Sequence, residues 1–208
     1  MSRKMPGEDA VTAFMDTVAK TYAKGDATEH SYRPALKILI ESIRLKDNRI
    51  ATNEPKASVH GAVDYRISTT KTDLTVGHIE TKNIDKGIRN FRDKQNKDQF
   101  ERYKKAYPNL IYTNYCDWDF YRNGKLVDSV QIADYVMGIQ PKLPQYRKLF
   151  EALSRFLEET PQEITSSAEL AERMASRAQL ANTILISALR EDGERKAGRV
   201  YSVYRFDY

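Results

Sequence analysis

Two short stretches decide the fold of this chain, GAVDYRIST (61–69) and LTVGHIETK (74–82). Both are apolar and rich in β-branched residues, which predicts two adjacent β-strands at about 59–68 and 74–81. Side chains two positions apart along a strand point to the same face of the sheet. We therefore expect Glu80 and Lys82 to share one face, close to Asp64 on the neighbouring strand.

Two carboxylates and an amine in this arrangement indicate a metal site next to a general base. Hard divalent cations such as Mg²⁺ bind carboxylate and carbonyl oxygens together with water, so Asp64, Glu80 and the backbone carbonyl of Thr81 are suited to hold one. Lys82 would then handle the attacking water, and phosphodiester hydrolysis is the chemistry that fits. The residues alone leave a second interpretation open, in which Glu80 and Lys82 form a structural salt bridge at a sheet edge.

Composition indicates a globular protein with a sizeable core. The chain has 208 residues, of which 40% are hydrophobic. No apolar run approaches the ~18 to 20 residues of a membrane span, and the N-terminus lacks the apolar stretch of a signal peptide, so we expect a cytoplasmic location with no membrane partner. The single cysteine, Cys116, excludes an intramolecular disulfide and a cysteine-rich zinc site. We expect it to be a buried strand residue.

Positive charge is concentrated just after the two strands. The formal net charge is +5, and the segment from Lys82 to Lys105 contains nine Lys or Arg residues against four acids. A basic helix in this position favours a polyanionic partner such as nucleic acid. A solvated helix face with no ligand is the alternative interpretation.

The remaining periodicities predict an α/β fold with a mixed central sheet and helices on its faces. Asn123-Gly124 between two alternating apolar segments predicts a β-hairpin. Ser31 is the expected N-cap of the second helix, with Pro34 in its first turn. The predicted elements are helices at 8–24, 31–43, 85–106, 144–157 and 166–190, a loop at 44–58, and a buried strand at 110–113.

Five motifs, in order along the chain, resemble one family of enzymes. They are TEHSYRPAL (28–36), TNEPK (52–56), GAVDY (61–65), HIETKNI (78–84) and QFERYKKAYPNLIYTNY (99–115). Together they look like the N-terminal nuclease domain of single-chain restriction–modification enzymes of types IIG and ISP, in which a PD-(D/E)XK nuclease is fused to an adenine-N6 DNA methyltransferase. The resemblance implies a restriction endonuclease-like fold over 1–140, followed at 141–208 by a helical connector that leads to a methyltransferase region.

The resemblance also implies roles for individual residues. Asp64 and Glu80 match the metal-binding acids, Lys82 matches the catalytic lysine, and Glu29 matches an additional acid in the helix before the core strands. Gln99 matches the glutamine of a Gln-xxx-Tyr motif that joins the active site to the DNA backbone. The residues that we expect to contact DNA are Lys86, Arg89, Arg92 and the tyrosine of that motif, Tyr103.

The expected function is that of a DNA endonuclease dependent on Mg²⁺, with Mn²⁺ as a substitute. Its expected partners are double-stranded DNA, the methyltransferase and target-recognition domains of the same longer polypeptide, and a transient second copy for double-strand cleavage. A non-catalytic DNA-binding or scaffold module of a DNA methyltransferase is the alternative. The sequence contains neither a GxxxxGK[ST] phosphate loop nor a methyltransferase signature, and its three histidines lack zinc-ligand spacing. A prokaryotic cytoplasm is the expected compartment.

Overall fold

The computed structural model describes residues 6–43, 45, 48–55, 63–89 and 94–160, together with seven later positions (167, 170, 171, 174, 178, 186 and 189). The chain divides into two compact units, residues 1–162 and residues 163–208. The first unit contains the sheet and the described candidate site residues. The seven described positions of the second unit are all helical, which agrees with the helix predicted at 166–190.

Two helices open the first unit. Helix α1 spans Pro6–Tyr22 and helix α2 spans Glu29–Ser42. The start of α2 was predicted wrongly, because Thr28 is its N-cap and the Ser31 hydroxyl accepts a hydrogen bond from the Thr28 N–H at 3.1 Å. Glu29 therefore lies in the first turn of α2, where the helix dipole favours an acid. Pro34 lies inside the helix, one turn later than predicted.

Six strands form the central sheet in the order β1-β2-β3-β4-β5-β6. Strands β3 and β4 are parallel, and all other neighbouring pairs are antiparallel, which confirms the predicted mixed sheet. The strands are β1 (Arg49–Asn53), β2 (Tyr65–Thr69), β3 (Thr75–Thr81), β4 (Asn109–Thr113), β5 (Asp117–Arg122) and β6 (Lys125–Gln131).

Strand β1 occupies part of the range that was predicted to be a loop. Its sequence, RIATN, gives only one fully buried residue, Ala51. An edge strand of this kind pairs through its backbone on one side only, so its side chains do not need the apolar pattern that reveals interior strands. The polar residues around 44–58 hid the strand for this reason.

The predicted hairpin is confirmed at Asn123-Gly124. These residues connect β5 to β6 with backbone φ angles of 48° and 76°. Positive φ at both central positions is the requirement of a type I′ turn, which Asn-Gly meets with little strain.

A bulge interrupts the pairing of β2 with β3. Ile67 pairs with Gly77, whereas the following residue, Ser68, pairs with Thr75 instead of Val76. Val76 is therefore the extra residue on β3, and the strand has one side-chain phase before the bulge and another after it. The phase after the bulge is the one that orients Glu80.

Helix α3 spans Lys94–Ala106, so the prediction of a helix from residue 85 was wrong at its start. Residues 84–89 form turns instead. The side-chain amide of Asn114 donates to the carbonyl oxygens of Ile84 at 3.3 Å and of Lys86 at 2.9 Å. These carbonyls are satisfied from outside the segment, so the backbone does not need a helical partner here.

Each face of the sheet buries its own cluster. Alternate residues of β4 show this division, because Ile111 packs with α1 and α2, whereas Leu110 and Tyr112 pack with Phe100 and Tyr103 of α3. Among the described residues, the sheet therefore packs against α1, α2 and the larger core on one face and against α3 on the other.

Two short strands and a helix complete the first unit. Strands β7 (Ala133–Asp134) and β8 (Gln140–Pro141) pair with each other, a 3-10 helix spans Leu143–Gln145, and helix α4 spans Tyr146–Leu157. Leu149, Leu153 and Phe156 of α4 are buried in the larger core. Helix α4 therefore belongs to the first compact unit, which extends to residue 162. The division between a nuclease domain at 1–140 and a connector at 141–208 stays a prediction.

Cys116 is fully buried, as predicted, but it lies in the turn before β5 rather than in a strand. In the helix predicted at 166–190, the apolar side chains of Leu170, Met174 and Leu189 are 44%, 63% and 71% exposed. None of the helices in the described part of the chain is long and apolar enough to cross a membrane.

Candidate functional site

Glu80 and Lys82 form an ion pair at the carboxyl end of β3. Lys82 Nζ donates to Glu80 Oε1 at 2.8 Å, and the side chains are only 5% (Glu80) and 13% (Lys82) exposed. The interpretation of the pair as a structural salt bridge expected it at a sheet edge. Strand β3 instead lies between β2 and β4, in the interior of the sheet. Burying an ion pair costs desolvation energy, so the pair is weak evidence for a purely stabilising role.

The second oxygen of Glu80 is one of the buried polar atoms of the site that lack a hydrogen bond among the described residues. Glu80 Oε2 is buried and has no hydrogen-bond partner among the described residues. Most buried polar atoms in folded proteins are hydrogen-bonded, and exceptions commonly mark a position that a bound ion or water completes. Glu80 therefore presents a vacant acceptor in a buried position.

Asp64 lies immediately before β2, opposite Glu80. Tyr65 pairs with Ile79 in the sheet, so the adjacent position places Asp64 beside Glu80. Asp64 Oδ2 accepts two hydrogen bonds of 2.7 Å, one from the backbone N–H of Thr81 and one from its hydroxyl. Thr81 thus fixes the orientation of the Asp64 carboxylate, a role of its side chain that the sequence did not predict.

The pKa of Glu80 is raised from its ordinary value of 4.5 to about 7. Burial is the largest cause, and the Asp64 carboxylate raises the pKa further, whereas Lys82 lowers it. Two close carboxylates disfavour each other's ionisation unless a cation joins them. Glu80 therefore takes up and releases a proton near neutral pH, and a bound cation would favour its charged form.

Arg33 is the main site residue that the sequence did not reveal. Its side chain is 7% exposed, and its guanidinium pairs with three acids. Nη2 contacts Asp64 Oδ1 and lies 3.3 Å from Glu29 Oε1, and Nη1 lies 2.5 Å from Glu54 Oε1. The only sequence signal was the spacing of Arg33 four residues after Glu29, since the contact with Asp64 joins residues 31 positions apart.

Glu54 is a further acid that the sequence did not single out. Its backbone has a φ of 46°, in the left-handed region that non-glycine residues seldom adopt. Its N–H donates to the backbone carbonyl of Asp64 at 2.8 Å, and its Oε1 also lies 3.5 Å from His30 Nδ1. The strained backbone holds this carboxylate against Arg33 although the side chain is 61% exposed.

Glu29, predicted as an additional acid, reaches the site through two neighbours. Its Oε1 accepts a hydrogen bond from Arg33 and lies 3.4 Å from the hydroxyl oxygen of Thr81, whose proton is donated to Asp64. Glu29 therefore lies behind the pair formed by Asp64 and Glu80 and contacts the residues that orient Asp64. Its role in the water shell of a metal stays a prediction.

Gln99 connects α3 to the lysine of β3. Gln99 Oε1 accepts from Lys82 Nζ at 3.1 Å, and Gln99 Nε2 donates to the Tyr103 hydroxyl at 3.3 Å. Tyr103 itself is 1% exposed and packs in the cluster beneath α3. The structure thus joins the Gln-xxx-Tyr pair to Lys82, whereas the expected contact of Tyr103 with DNA stays a prediction.

A cleft of about 750 Å³ opens beside this group. Its wall includes Lys82 and Gln99 of the site and the first turns of α3, and the lining residues are Lys82, Lys94, Gln95, Asn96, Asp98, Gln99 and Arg102. Lys82 is therefore accessible from solution through a polar cleft with three basic side chains.

The three basic residues predicted to contact DNA after β3 have different placements. Lys86 lies in the turns of 84–89. Arg89 is held by Asp119, with Nε and Nη2 donating to both carboxylate oxygens at 2.6–3.1 Å, and it also donates to the Ser129 hydroxyl at 2.7 Å. Arg92 lies outside the described residues. Contacts of these residues with DNA stay predictions.

The donor set fits a magnesium ion in part. No group of three or more His, Cys, Asp or Glu side chains in the described part of the chain is arranged to hold a metal. Mg²⁺, however, is commonly held by one or two carboxylates, with water and substrate phosphates completing its shell. Asp64, Glu80 with its unpartnered Oε2, and the Thr81 carbonyl provide that kind of donor set.

The comparisons with known proteins identify a structural likeness only. No family model matches the chain, and none of the curated proteins matches it. A solved structure, a cryo-EM structure of a DrdV–DNA complex, matches with a TM-score of 0.55 and 17% sequence identity, covering 74% of this chain and 14% of that chain. At this identity the likeness shows the fold, an α/β fold with a mixed six-stranded sheet flanked by helices that resembles part of DrdV. This chain spans a small fraction of the length of that protein.

Proposed function

We propose that this chain is a Mg²⁺-dependent DNA endonuclease and the nuclease part of a restriction–modification enzyme. The observation that carries the proposal is the buried Glu80 carboxylate, whose Oε2 has no partner among the described residues, beside Asp64 and Lys82. Carboxylates with raised pKa values beside a cleft are typical of functional sites. A salt bridge that only stabilised the sheet would not need a second acid or a vacant oxygen.

Asp64, Glu80 and the Thr81 carbonyl are the groups that would hold the metal. A bound Mg²⁺ would offset the charge that develops on the phosphate oxygens during hydrolysis. Thr81 contributes by orienting Asp64 through both of its hydrogen bonds. Removing a contact that orients a metal ligand commonly changes metal affinity or activity by about 10–100-fold.

Lys82 is the group that would act on the attacking water. The ammonium group of Lys82 has three N–H donors, and Glu80 and Gln99 accept hydrogen bonds from two of them. Among the described residues, the third donor is left for water or a phosphate oxygen. Gln99 fixes the position of Nζ at the wall of the cleft. This arrangement suits a lysine that orients the nucleophile for in-line attack.

The substrate proposal rests on the cleft and on the fold. Lys94 and Arg102 line the cleft together with Lys82, and basic side chains in a groove are the electrostatic feature that attracts a phosphate backbone. The fold resembles part of DrdV, which has been solved in complex with DNA. Both observations support DNA as the substrate.

The partners follow from the sequence motifs. We propose that methyltransferase and target-recognition domains of a longer polypeptide direct this nuclease to its target. A single site would cut one strand at a time, so double-strand cleavage would require a transient encounter of two copies.

A nicking assay on supercoiled plasmid tests the proposal. The 208-residue chain is incubated with plasmid in Mg²⁺, in Mn²⁺ and in EDTA, in parallel with the Lys82→Ala variant. The matched control is Lys125→Ala, which removes an exposed lysine at the start of β6. We expect metal-dependent nicking by the wild type and by Lys125→Ala, and none by Lys82→Ala.

Other results would separate the alternatives. DNA affinity without nicking in either metal would favour a non-catalytic DNA-binding module, and absence of both affinity and nicking would favour a scaffold. Nicking that persists in Lys82→Ala would mean that the site has been assigned wrongly.

A further inference from the structure

Arg33 occupies the oxygen that Asp64 would offer to a metal. The two hydrogen bonds from Thr81 use both lone pairs of Asp64 Oδ2. Oδ1 is the remaining oxygen, and Arg33 Nη2 contacts it directly. A cation bound by Asp64 must therefore either displace Arg33 from Oδ1 or share that oxygen with a guanidinium.

The geometry points to Arg33 as a positioning residue that acts as a resident counter-cation and keeps the metal affinity of the free site low. This inference rests on the proposed function. Without a metal, Arg33 pairs with Asp64 Oδ1 and so offsets the negative charge of that carboxylate beside Glu80. With a metal, Arg33 opposes it because like charges at a shared ligand repel each other.

Two other acids can stay paired with Arg33 when it releases Asp64. Nη1 already pairs with Glu54, and Nη2 lies 3.3 Å from Glu29. Glu54 is held in this position by its left-handed backbone and by its N–H bond to the Asp64 carbonyl. Arg33 can therefore release Oδ1 without becoming a buried charge with no counter-ion, which would be strongly unfavourable.

A low metal affinity in the free protein fits an enzyme that works on phosphate esters. A substrate phosphate supplies both an oxygen ligand and negative charge, and Mg²⁺ sites in such enzymes are commonly completed by substrate phosphates. Arg33 would thus delay full assembly of the metal site until DNA is present.

The test measures Mn²⁺ binding to the 208-residue chain without DNA, by electron paramagnetic resonance, together with thermal melting in EDTA. The variants are wild type, Arg33→Met and Glu54→Gln. We expect Arg33→Met to melt at a lower temperature in EDTA and yet to bind Mn²⁺ about tenfold more tightly or better, within the 10–100-fold range of second-shell changes. Glu54→Gln, which removes the negative charge of the alternative partner of Arg33, should bind Mn²⁺ more weakly than wild type.

The opposite sign would overturn the inference. If Arg33 were purely structural, or if it preorganised Asp64 for the metal, Arg33→Met would lower the affinity for Mn²⁺. Should Arg33→Met fail to fold, Glu54→Gln alone decides, because unchanged or tighter binding in that variant also contradicts the competition. If neither wild type nor Arg33→Met binds Mn²⁺, the inference is wrong, and plasmid nicking shows separately whether the proposed nuclease activity survives.

Discussion

Asp64 and Thr81 are joined by two hydrogen bonds to a single carboxylate oxygen, one from the backbone and one from the hydroxyl, both of 2.7 Å. The backbone bond belongs to any residue at position 81, but the hydroxyl bond is specific to threonine or serine. The orientation of Asp64, one of the two acids that we propose to bind the metal, therefore depends in part on a side chain that is not itself expected to bind it.

Replacing Thr81 with valine should separate these two bonds. Valine keeps the shape of threonine but lacks the hydroxyl, so we expect nicking activity to fall by roughly 10–100-fold while the protein remains folded. The loss of one buried hydrogen bond should lower the free energy of unfolding by about 1–2 kcal/mol. Thr81→Ser, which restores the hydroxyl, should keep most of the activity, and equal losses in both variants would argue against the orienting role. Plasmid nicking and urea denaturation measure the two effects.

Gln99 should matter for catalysis more than for stability. Gln99→Leu removes the acceptor that fixes Lys82 Nζ, so we expect the nicking rate to fall by roughly 10-fold or more. Gln95→Leu is the matched control, because Gln95 lines the same cleft. Initial nicking rates of the two variants at saturating plasmid provide the comparison. Similar rates for Gln95→Leu and Gln99→Leu would mean that the cleft, rather than the contact with Lys82, is responsible.

The raised pKa of Glu80 predicts how metal-free stability changes with pH. Because the folded-state pKa is about 7 and the ordinary value is 4.5, the unfolded chain loses its proton first as the pH rises. This group therefore favours unfolding progressively between pH 4.5 and pH 7, by about 3 kcal/mol in total. Glutamine at position 80 cannot ionise. The free energy of unfolding of Glu80→Gln, taken relative to that of the wild type, should therefore be higher at pH 8 than at pH 5.

Urea denaturation in EDTA at the two pH values measures this difference. EDTA is essential, because a bound metal would favour the charged carboxylate and mask the effect. A difference between variant and wild type that does not change with pH would show that burial does not perturb Glu80 in this way.

A variant of Asp119 tests whether the ion pair with Arg89 stabilises the fold. Asp119 is 1% exposed and accepts hydrogen bonds from the Arg89 guanidinium and from the Ser129 hydroxyl, the latter at 2.8 Å. We expect Asp119→Asn to lower the free energy of unfolding by about 1–2 kcal/mol, because it weakens buried hydrogen bonds while water can solvate the 47% exposed Arg89 side chain. Urea denaturation checks this value.

Arg89→Gln separates the structural role from the predicted DNA contact. If Arg89 mainly anchors the turns after β3 to β5, the variant should lose stability but keep the salt dependence of DNA binding. A reduction in the slope of log affinity against log salt by about one would instead assign a phosphate contact to Arg89.

The sequence predicted the local part of the site and missed the long-range part. Strand alternation placed Glu80 and Lys82 together because that relationship depends only on two residues of one strand. The helical spacing of Gln99 and Tyr103 was predictable for the same reason. The contact of Arg33 with Asp64 depends instead on how α2 packs against the start of β2, which no local pattern encodes.

The errors in the fold have the same origin. Strand β1 lacks an apolar pattern because it lies at an edge, and the start of α3 was placed too early because charged residues at 85–93 are compatible with either a helix or a turn. Asn114 decides in favour of turns at 84–89 by bonding their carbonyls, although it lies 28 to 30 residues away. Interior strands and the Asn-Gly hairpin were predicted because their signals are local.

The bulge at Val76 has a consequence for how the chain tolerates changes in length. It lies between the turn that follows β2 and the part of β3 that carries Glu80 and Lys82. A bulge absorbs an extra residue, so deleting one residue in the turn at 70–74 is compensated by losing the bulge, and inserting one residue is compensated by enlarging it. The same change after Gly77 would reverse the facing of every later side chain on the strand. Length variants made on either side of the bulge should therefore differ sharply in whether they retain function.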